Sequence, residues 1–306
     1  MSLYRTALLG VARWGPLERF ARRRGLRLGA HRFVAGESLD DGLATARRLA
    51  DEGTYPILDV LGEFVARPED AGAMADRIHA ALRGLHGVPA PRAASVKPTQ
   101  VGLGLDPDLG LAHLRALAVT AGEASVQLAL DMEDHPHVDA TLDALETLHD
   151  EGHHHVSTVL QSYLRRTPDD VERLLARDPV PTLRLVKGAY REPASVAYPR
   201  KADVDAAYAR LLDRLLEGGG VVHVATHDEA LIAHARARRD ALGLPPERMT
   251  IQLLYGVKRG LQRRLVAEGE RVGIYLPFGA DWYGYFTRRL AERPANLAFV
   301  LRGLLG

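Results

Sequence analysis

The sequence predicts a (β/α)8 barrel of the TIM type, and three observations support this fold class. Eight short apolar runs alternate with amphipathic stretches from Tyr55 onward, which is typical of parallel strands that are each followed by a helix. The alternation covers roughly 250 residues, the usual size of such a barrel. A doubly wound nucleotide-binding sheet would need a G-x-G-x-x-G loop after an early strand, and Gly102-Leu103-Gly104 is only a fragment of that motif.

The eight predicted strands are rich in Val, Ile, Leu and Ala. They are Ile57–Leu61, Ala93–Lys97, Val126–Met132, Val156–Leu160, Leu183–Lys187, Val221–Ala225, Met249–Leu253 and Val272–Leu276. Between them lie the predicted helices Ala71–Leu85, Leu109–Gly122, Val138–Asp150, Asp170–Arg177, Val204–Leu216, Glu229–Leu242 and Lys258–Glu268. Thr167 precedes Pro168 and two acids, so it is predicted to be an N-cap.

Residues 1–52 are predicted to form an N-terminal helical arm, which leaves 53–306 for the barrel. Ser38 predicts the start of a helix, and Asp41 is the acid that a capping box requires. The first fourteen residues contain Arg5 and Arg13 within an apolar run. This segment is too short and too charged for a transmembrane span.

The composition excludes several classes of function. The 306 residues include 40 basic and 39 acidic side chains, so the basic excess of a nucleic-acid-binding protein is missing. The absence of cysteine excludes disulfides, thiolate metal sites and a cysteine nucleophile, and a cytoplasmic location is expected. His153-His154-His155 is expected to be a loop or a strand start rather than a metal site, because no acidic ligand is clearly placed nearby.

Polar and ionisable residues stand at the ends of the predicted strands, where a barrel of this type forms its active site. These residues are Asp59, Glu63, Lys97, Asp131, Glu133, Gln161, Arg184, Lys187, Thr226, His227 and Tyr275. Strand alternation puts Arg184 and Gly188 on the same face. An arginine beside a glycine on an inward face suits a flat ligand that lies against the backbone.

The C-terminal stretch from Tyr275 to Asn296 contains an unusual helical stripe. Tyr285, Arg288, Arg289 and Glu292 recur at i, i+3, i+4 and i+7, so they share one face of a helix. Considered by itself, such a charged stripe indicates a solvated face. The alternative is an anion clamp, because a guanidinium group matches a carboxylate with two parallel hydrogen bonds.

With these motifs in place, the sequence resembles the proline dehydrogenase family, and in particular its monofunctional bacterial members. The C-terminal match is Tyr275-x-Pro277-x-Gly279, Tyr285-x-x-Arg288-Arg289-x-x-Glu292 and Ala295-Asn296. Further motifs follow in the family's order: Leu58-Asp59-x-Leu61-Gly62-Glu63, Ser95-x-Lys97, Asp131-Met132-Glu133, Gln161-x-Tyr163, Arg184-Leu185-Val186-Lys187-Gly188-Ala189-Tyr190, Ala225-Thr226-His227 and Gln252-Leu253-Leu254-Tyr255-Gly256. The match covers the barrel from Tyr55, and Phe33–Glu37 also fits. Pro98 and Arg293-Pro294 depart from the family pattern without removing a charge.

The resemblance implies oxidation of L-proline to Δ1-pyrroline-5-carboxylate, the first step of proline catabolism. The family uses FAD at the barrel mouth and transfers a hydride from the ring carbon beside the amine to flavin N5. The substrate then lies between the flavin and the last signature helix, so this helix is expected over the barrel mouth. The amine of the substrate is expected to be deprotonated, because its lone pair must be available.

The residues that the resemblance implies for the substrate are Lys97, Tyr275, Tyr285, Arg288, Arg289 and Glu292. Arg288, Arg289 and Lys97 are expected to bind the substrate carboxylate, while Tyr285 packs against the ring. Asp131 is expected to orient Lys97 and Tyr275, and Glu292 to balance the added positive charge. Glu63 is expected to latch a lid by pairing with an arginine of the last helix.

The resemblance also assigns the cofactor site. Arg184 is expected near flavin N5 and, with Asp131, is an implied catalytic residue. Gln161 is expected at the pyrimidine edge and Lys201 at the pyrophosphate. The other expected cofactor contacts are Met132, Lys187, Gly188, Ala189, Thr226, His227 and Leu253.

The partners that the resemblance implies are L-proline and a membrane quinone as the electron acceptor. Peripheral contact with the inner face of the membrane would follow from that acceptor. A separate pyrroline-5-carboxylate dehydrogenase is expected, since 306 residues leave no room for a second catalytic domain beside the barrel.

Two other functions compete with this one. A different flavin barrel, such as a folate reductase, would take its electrons from a nicotinamide. A barrel without redox chemistry, such as an aldolase, would use Lys97 or Lys187 as a Schiff base. The colour of the purified protein and its response to proline or NADH distinguish these functions.

Overall fold

A computed structural model describes residues 30–62, 65–89 and 91–292, with side chains up to Thr287 in the last helix. Several predicted features lie outside the described residues. They are residues 1–29 of the arm, Glu63, Arg293-Pro294, and the side chains of Arg288, Arg289 and Glu292.

The predicted barrel is confirmed. Its strands are β1 (Tyr55–Val60), β2 (Ala93–Val96), β3 (Gln127–Leu130), β4 (Val156–Gln161), β5 (Leu183–Val186), β6 (Val222–Ala225), β7 (Met249–Leu254) and β8 (Val272–Phe278). They form a closed barrel in chain order, and every neighbouring pair is parallel. The barrel closes where β8 pairs with β1, with Tyr55 opposite Gly273 and Val60 opposite Phe278.

Nine α-helices occur in the described part of the chain. They are α1 (Leu39–Asp51), α2 (Pro68–Leu85), α3 (Pro107–Glu123), α4 (Val138–Asp150), α5 (Thr167–Leu175), α6 (Lys201–Glu217), α7 (Glu229–Ala241), α8 (Arg259–Ala267) and α9 (Trp282–Glu292). Helices α2 to α8 follow the strands one by one, as the sequence predicts. None of these nine helices is long and apolar enough to cross a membrane.

One predicted helix cap is confirmed and another is wrong. Ser38 and Asp41 form the predicted capping box, with Asp41 N donating to Ser38 Oγ over 3.1 Å and Ser38 N donating to Asp41 Oδ2 over 3.2 Å. Thr167 begins α5 but does not cap it, because its hydroxyl donates to the carbonyl of Gln161 at 2.6 Å. The buried Thr167 therefore ties the helix to the end of β4.

The main apolar core lies between the strands and the surrounding helices. Leu128 and Leu130 of β3 pack in it together with Leu114 and Leu117 of α3, and all four are fully buried. Leu49 of α1 belongs to the same core. The division into an arm, 1–52, and a barrel, 53–306, stays a proposal. Leu49 belongs to the proposed arm and yet packs in the core of the barrel.

The interior of the barrel is polar. Its apolar part is a small cluster of Tyr55, Ile57 and Ala93, with Tyr275 packed against it. Polar side chains are buried around this cluster, among them Asp59, Ser95, Arg184, His223, Thr250 and Gln252. Gln252 Nε2 donates to the hydroxyl of Tyr55 at 3.1 Å, so even the bottom of the interior is hydrogen-bonded.

His223 is a buried imidazole within this interior. It lies opposite Arg184 in the β5–β6 ladder, and its ring is 6.4 Å from the ring of Tyr55. Burial, reinforced by the positive charges of Arg184 and Arg271, lowers the pKa of His223 to about 3. The folded barrel therefore holds a neutral imidazole that the unfolded chain would protonate.

His223 is predicted to make the protein less stable below neutral pH. An unfolded imidazole titrates near pH 6.5, and the folded group near 3. Between these values the unfolded state binds a proton that the folded state does not, so the free energy of unfolding falls as the pH is lowered. Urea unfolding at pH 7.5 and 5.0 should show that wild type loses about 2 kcal/mol more than His223→Gln.

The exposed His86 gives the matched control. His86→Gln should lose as much stability as wild type between the same two pH values. Equal losses for His223→Gln and wild type would contradict the prediction.

Candidate active site

Asp131 is the centre of the group that the strand ends bring together. It directly follows β3, and its backbone N–H donates to Val96 O of β2 at 2.8 Å. Arg184 Nη1 donates to Asp131 Oδ1 at 2.6 Å, and the hydroxyl of Tyr275 donates to Oδ2 at 2.7 Å. The partners come from β5 and β8, so three strands meet at one buried carboxylate.

Lys97 joins this group from the end of β2. Its ammonium nitrogen lies 3.8 Å from Asp131 Oδ2 and 3.7 Å from Asp59 Oδ1. Burial lowers the pKa of Lys97, but Asp59 and Asp131 raise it by more, so the net pKa is above its ordinary value. Lys97 is therefore a cation at neutral pH. We call Asp59, Lys97, Asp131, Arg184 and Tyr275 the Asp131 cluster.

Asp131 and Tyr275 also have shifted pKa values. Burial raises the pKa of Asp131, but Arg184 and Lys97 lower it by more, and the net shift is downward. Burial and the neighbouring carboxylate of Asp131 raise the pKa of Tyr275 well above its ordinary value. The cluster thus combines an ionised carboxylate, an ammonium group and a neutral phenol that donates its proton in a hydrogen bond.

Asp59 is one of the polar residues at the predicted strand ends, but no substrate or cofactor role was predicted for it. It is 1% exposed and stands at the inward position beside Ser95 in the β1–β2 ladder. The available signal was its place at the end of the first apolar run, which matches the place of Lys97 and Asp131 in their own runs. Tyr190 was also missed, although it belongs to the motif that follows β5.

A second set of hydrogen bonds holds the loops beside the cluster. Thr99 donates to both oxygens of Glu133, from its backbone N at 3.0 Å and its hydroxyl at 2.6 Å. Gln161, a predicted cofactor residue, donates from Nε2 to the carbonyl of Glu133 at 2.8 Å. Burial raises the pKa of Glu133. The loops after β2 and β3 and the end of β4 are therefore linked around the mouth.

Gln100 links the loops after β1 and β2. Its amide accepts from Lys97 N at 3.1 Å and donates to Val60 O at 3.2 Å and to Gly62 O. It lies in the 3-10 turn Pro98–Val101, so Pro98, which departs from the family pattern, begins an ordered turn here.

Two predicted cofactor lysines lie in an ion cluster on the outer side of the same rim. Lys187 Nζ donates to Asp205 Oδ1 at 2.6 Å and to Asp228 Oδ2 at 2.8 Å. Lys201 Nζ also bonds Asp205 and lies 3.7 Å from Asp228 Oδ2. The hydrogen bond from Lys187, opposed by a smaller effect of burial, lowers the pKa of Asp228. The two lysines thus share two carboxylates.

Gly188 and Ala189 follow β5. Gly188 has a φ of +121°, and a Cβ there would lie 2.2 Å from the ring of Tyr163, so only glycine fits this close approach. Ala189, Tyr163 and Tyr190 line a cavity of about 230 Å³, and the remaining walls come from Arg191, Glu192, Ala194, Ala197, Tyr198 and Pro199.

Thr226 and His227 form the turn between β6 and α7. The hydroxyl of Thr226 accepts from Asp228 N at 3.1 Å. His227 Nε2 is 3.2 Å from Leu254 N. A ring nitrogen that accepts from a backbone N–H carries its lone pair there, so neutral His227 has its proton on Nδ1.

The prediction for Leu253 requires a correction. Gln252 points into the barrel, because its amide reaches Tyr55, and neighbouring side chains of a strand point to opposite faces. Leu253 accordingly belongs to the main core outside the barrel, whereas Leu254 is opposite Tyr275 in the β7–β8 ladder. Leu254 is the leucine that faces the mouth. Met132 also packs in the main core, so any cofactor contact there would come from its backbone.

The backbone of α9 is described over its whole range, Trp282–Glu292, and its side chains up to Thr287. Tyr285 is 8% exposed and lies in an apolar cluster with Phe33, Leu61, Trp282 and Phe286. Glu63 and the side chains of Arg288, Arg289 and Glu292 lie outside the described residues. Within those residues, no group of three or more His, Asp or Glu side chains could hold a metal ion.

Known proteins share this sequence over nearly its whole length. The chain is 45% identical over 307 residues to a proline dehydrogenase of Deinococcus radiodurans, with 99% of this chain and 98% of that protein covered. It is 38% identical over 303 residues to proline dehydrogenase 1 of Bacillus subtilis (strain 168), with 99% of each chain covered. The bifunctional protein PutA of Escherichia coli (strain K12) is 26% identical over 335 residues, which span 94% of this chain and 25% of that protein.

Solved structures share the fold. Proline utilization A from Bdellovibrio bacteriovorus, in a crystal structure of the enzyme inactivated by N-propargylglycine, matches with a TM-score of 0.80 and 24% identity over 86% of this chain. A mutant of proline utilization A from Bradyrhizobium japonicum matches with a TM-score of 0.75 and 23% identity over 96% of this chain. The chain spans about a third of the length of these two proteins, 32% and 34%.

The family assignment depends on the sequence matches rather than on the shared barrel. The family model described as proline dehydrogenase matches residues 42–302, a range that includes all eight strands and every residue of the Asp131 cluster. The chain belongs to the proline dehydrogenase family.

Proposed function

We propose that this protein oxidises L-proline to Δ1-pyrroline-5-carboxylate with FAD as its cofactor, by transfer of a hydride to flavin N5. The observation that carries the proposal is the Asp131 cluster, in which Asp131 binds Arg184 and Tyr275 and lies 3.8 Å from Lys97. Family membership supports the reaction, which is the first step of proline catabolism. When bound, FAD supplies the hydride acceptor and hence the redox chemistry.

The described residues fit a flavin at the barrel mouth in two ways. Arg184 Nε is buried and has no hydrogen-bond partner among them, and a buried donor of this kind is normally satisfied, here by a ligand atom. Lys187 and Lys201 put two ammonium groups at the same rim, and a diphosphate would bind them in place of Asp205 and Asp228. Gln161, Gly188, Ala189, Thr226 and His227 complete the proposed cofactor contacts, with Leu254 in place of Leu253.

The charges of the cluster indicate how the substrate carboxylate is bound. Lys97 and Arg184 are two cations, and Asp59 and Asp131 are two acids beside them. An entering carboxylate therefore adds a negative charge that the cluster alone does not balance. Arg288 and Arg289 supply the further cations in the proposal, and Glu292 moderates their excess.

The remaining roles in the proposal concern orientation and exclusion of water. Asp131 holds Lys97, Arg184 and Tyr275 in fixed positions relative to one another. Tyr275 presents its ring edge and neutral hydroxyl to the substrate, and Tyr285 packs against the five-membered ring of L-proline. Glu63 latches the lid by pairing with an arginine of α9.

An aldolase-like function is disfavoured by the charge states. A Schiff-base lysine must lose its proton to act as a nucleophile. The net pKa of Lys97 is raised by its two carboxylates, and Lys187 is held between two carboxylates. Lys97 is therefore held as a cation, and Lys187 is already bound to two acids.

The proposal extends to partners. A quinone accepts the electrons, with peripheral contact between the protein and the inner face of the membrane. A separate pyrroline-5-carboxylate dehydrogenase then consumes the product.

The first test is the absorption spectrum of the purified protein before and after addition of substrate. The protein should be yellow, and anaerobic L-proline should bleach the flavin band because the cofactor is reduced. Formation of Δ1-pyrroline-5-carboxylate, trapped with o-aminobenzaldehyde, should accompany the bleaching. Bleaching by NADH but not by proline would contradict the proposal in favour of a nicotinamide-dependent flavin barrel.

Tyr275→Phe tests the Asp131 cluster. The substitution removes the hydrogen bond to Asp131, and a bond to a charged group contributes about 1.5–3 kcal/mol. The kcat/KM for L-proline should therefore fall roughly 10- to 100-fold. Tyr255→Phe is the matched control, because the Tyr255 hydroxyl accepts from Arg48 of α1 at 3.0 Å, and it should stay within about twofold of wild type. Equal losses in the two variants would refute the role of Tyr275.

Arg288→Met and Arg289→Met test the proposed carboxylate clamp. Each change removes a cation that the substrate anion requires, so KM for L-proline should rise by roughly 10-fold or more. A proline amide, which lacks the anionic charge, should show a much smaller change. An unchanged KM for L-proline in both variants would exclude the clamp.

A further inference from the structure

The segment Ala30–Glu37 crosses the ends of β7 and β8, and we call it the strap. It begins with the 3-10 turn Ala30–Arg32. Its backbone makes two hydrogen bonds at the end of β8, with Ala35 N donating to Pro277 O of the strand at 2.9 Å and Gly279 N, just beyond the strand, donating to Gly36 O at 2.9 Å. These two bonds fix the strap to the end of β8 and to the first residue of the link that leads to α9.

The strap is also in close contact with the turn after β7. Arg32 Nε donates to the carbonyl of Gly256 at 3.3 Å. Gly256 has a φ of +75°, and a Cβ at this position would lie 1.7 Å from the carbonyl oxygen of Arg32. The absence of a side chain at Gly256 therefore allows the strap to reach the end of β7.

The apolar side chains of the strap pack directly on α9. Phe33 and Val34 are 2% and 0% exposed. The ring of Phe33 is 6.3 Å from that of Phe286, which in turn is 5.7 Å from Trp282. Tyr285, the proposed ring contact of the substrate, belongs to the same cluster. The strap and the substrate-binding helix thus share one small core.

A polar contact also joins the strap to α9 in this core. The indole N–H of Trp282 donates to Glu37 Oε1 at 2.9 Å. Trp282 is 1% exposed, and a buried indole N–H without an acceptor would be costly. Glu37 itself is exposed, so its position reflects this contact rather than burial.

The contact is placed where it can set the direction of α9. Trp282 is the first residue of that helix, and Arg289 follows about 10 Å further along the axis. A tilt of about 10° at the first turn would move the later residue by about 2 Å. A displacement of about 1 Å at a binding group can cost as much as 100-fold in rate.

We propose that Glu37 is a positioning residue for substrate binding, which acts by fixing Trp282 and thereby the direction of α9. The inference rests on the proposed oxidation of L-proline. Glu37 is not itself placed near the substrate. Its effect reaches the substrate through Tyr285 and the arginines of the same helix.

The first test compares Glu37→Ala with Glu37→Gln in the FAD-loaded protein. Loss of the acceptor in Glu37→Ala should raise KM for L-proline about tenfold and change kcat by less than about twofold. Glu37→Gln keeps a carbonyl oxygen for Trp282, so its KM should stay within about twofold of wild type. Asp51→Ala, at the exposed end of α1, controls for loss of a surface acid and should equal wild type.

The second test does not depend on activity. Backbone hydrogen exchange of α9 should be several-fold faster in Glu37→Ala than in wild type, and unchanged in Glu37→Gln and Asp51→Ala. Faster exchange with a raised KM supports the inference. Unchanged exchange in Glu37→Ala, or equal effects of Ala and Gln, would overturn it. Wild-type protein that does not oxidise proline would overturn the proposed function, while the exchange data would still test the contact between the strap and α9.

Discussion

The ionised carboxylate of Asp131, buried where the strands end, is the constraint on which the mouth of this barrel depends. A charge in such a place is tolerated only with close partners, and here the partners come from other strands. Arg184 and Tyr275 meet its two oxygens. Sliding any one of these strands by a single residue would turn its side chain to the opposite face. The site therefore exists in this register of the closed barrel and in no neighbouring one.

The same constraint explains why the two layers of the protein differ so much in chemistry. The layer between strands and helices is a continuous apolar core, which favours folding whatever the interior contains. The interior holds a small apolar cluster and a larger set of hydrogen-bonded polar groups, including a neutral imidazole beside a guanidinium group. The barrel interior can hold polar groups because most of the folding free energy comes from the apolar core between the strands and the helices.

Sequence reasoning gave the order and type of all the described strands and helices, because apolar runs and helical periodicity are local signals. It also brought Lys97, Asp131, Arg184 and Tyr275 together, since strand ends converge in a barrel. It failed where one residue decides the outcome. Leu253 and Leu254 are the same residue type at adjacent positions, so the sequence does not distinguish them. The pairing of Leu254 with Tyr275 in the β7–β8 ladder shows that Leu254 faces inward. Thr167 has the sequence of a cap, but Arg166 occupies the N-cap position and the Thr167 hydroxyl donates to the carbonyl of Gln161. The hydrogen bond between Trp282 and Glu37 spans 245 positions, and no local sequence pattern predicts it.

The contact between the strap and α9 has a consequence for the order in which the protein is made. Arg32 and Gly256 are 224 positions apart, and β1 completes its pairing only when β8 is present. The earliest and latest parts of the described chain therefore have to meet before the mouth is complete. Contacts of such long range form late, because the intervening chain must first be ordered. A nascent chain that is still being synthesised can build most of its core, but it acquires a substrate site only after α9 has left the ribosome.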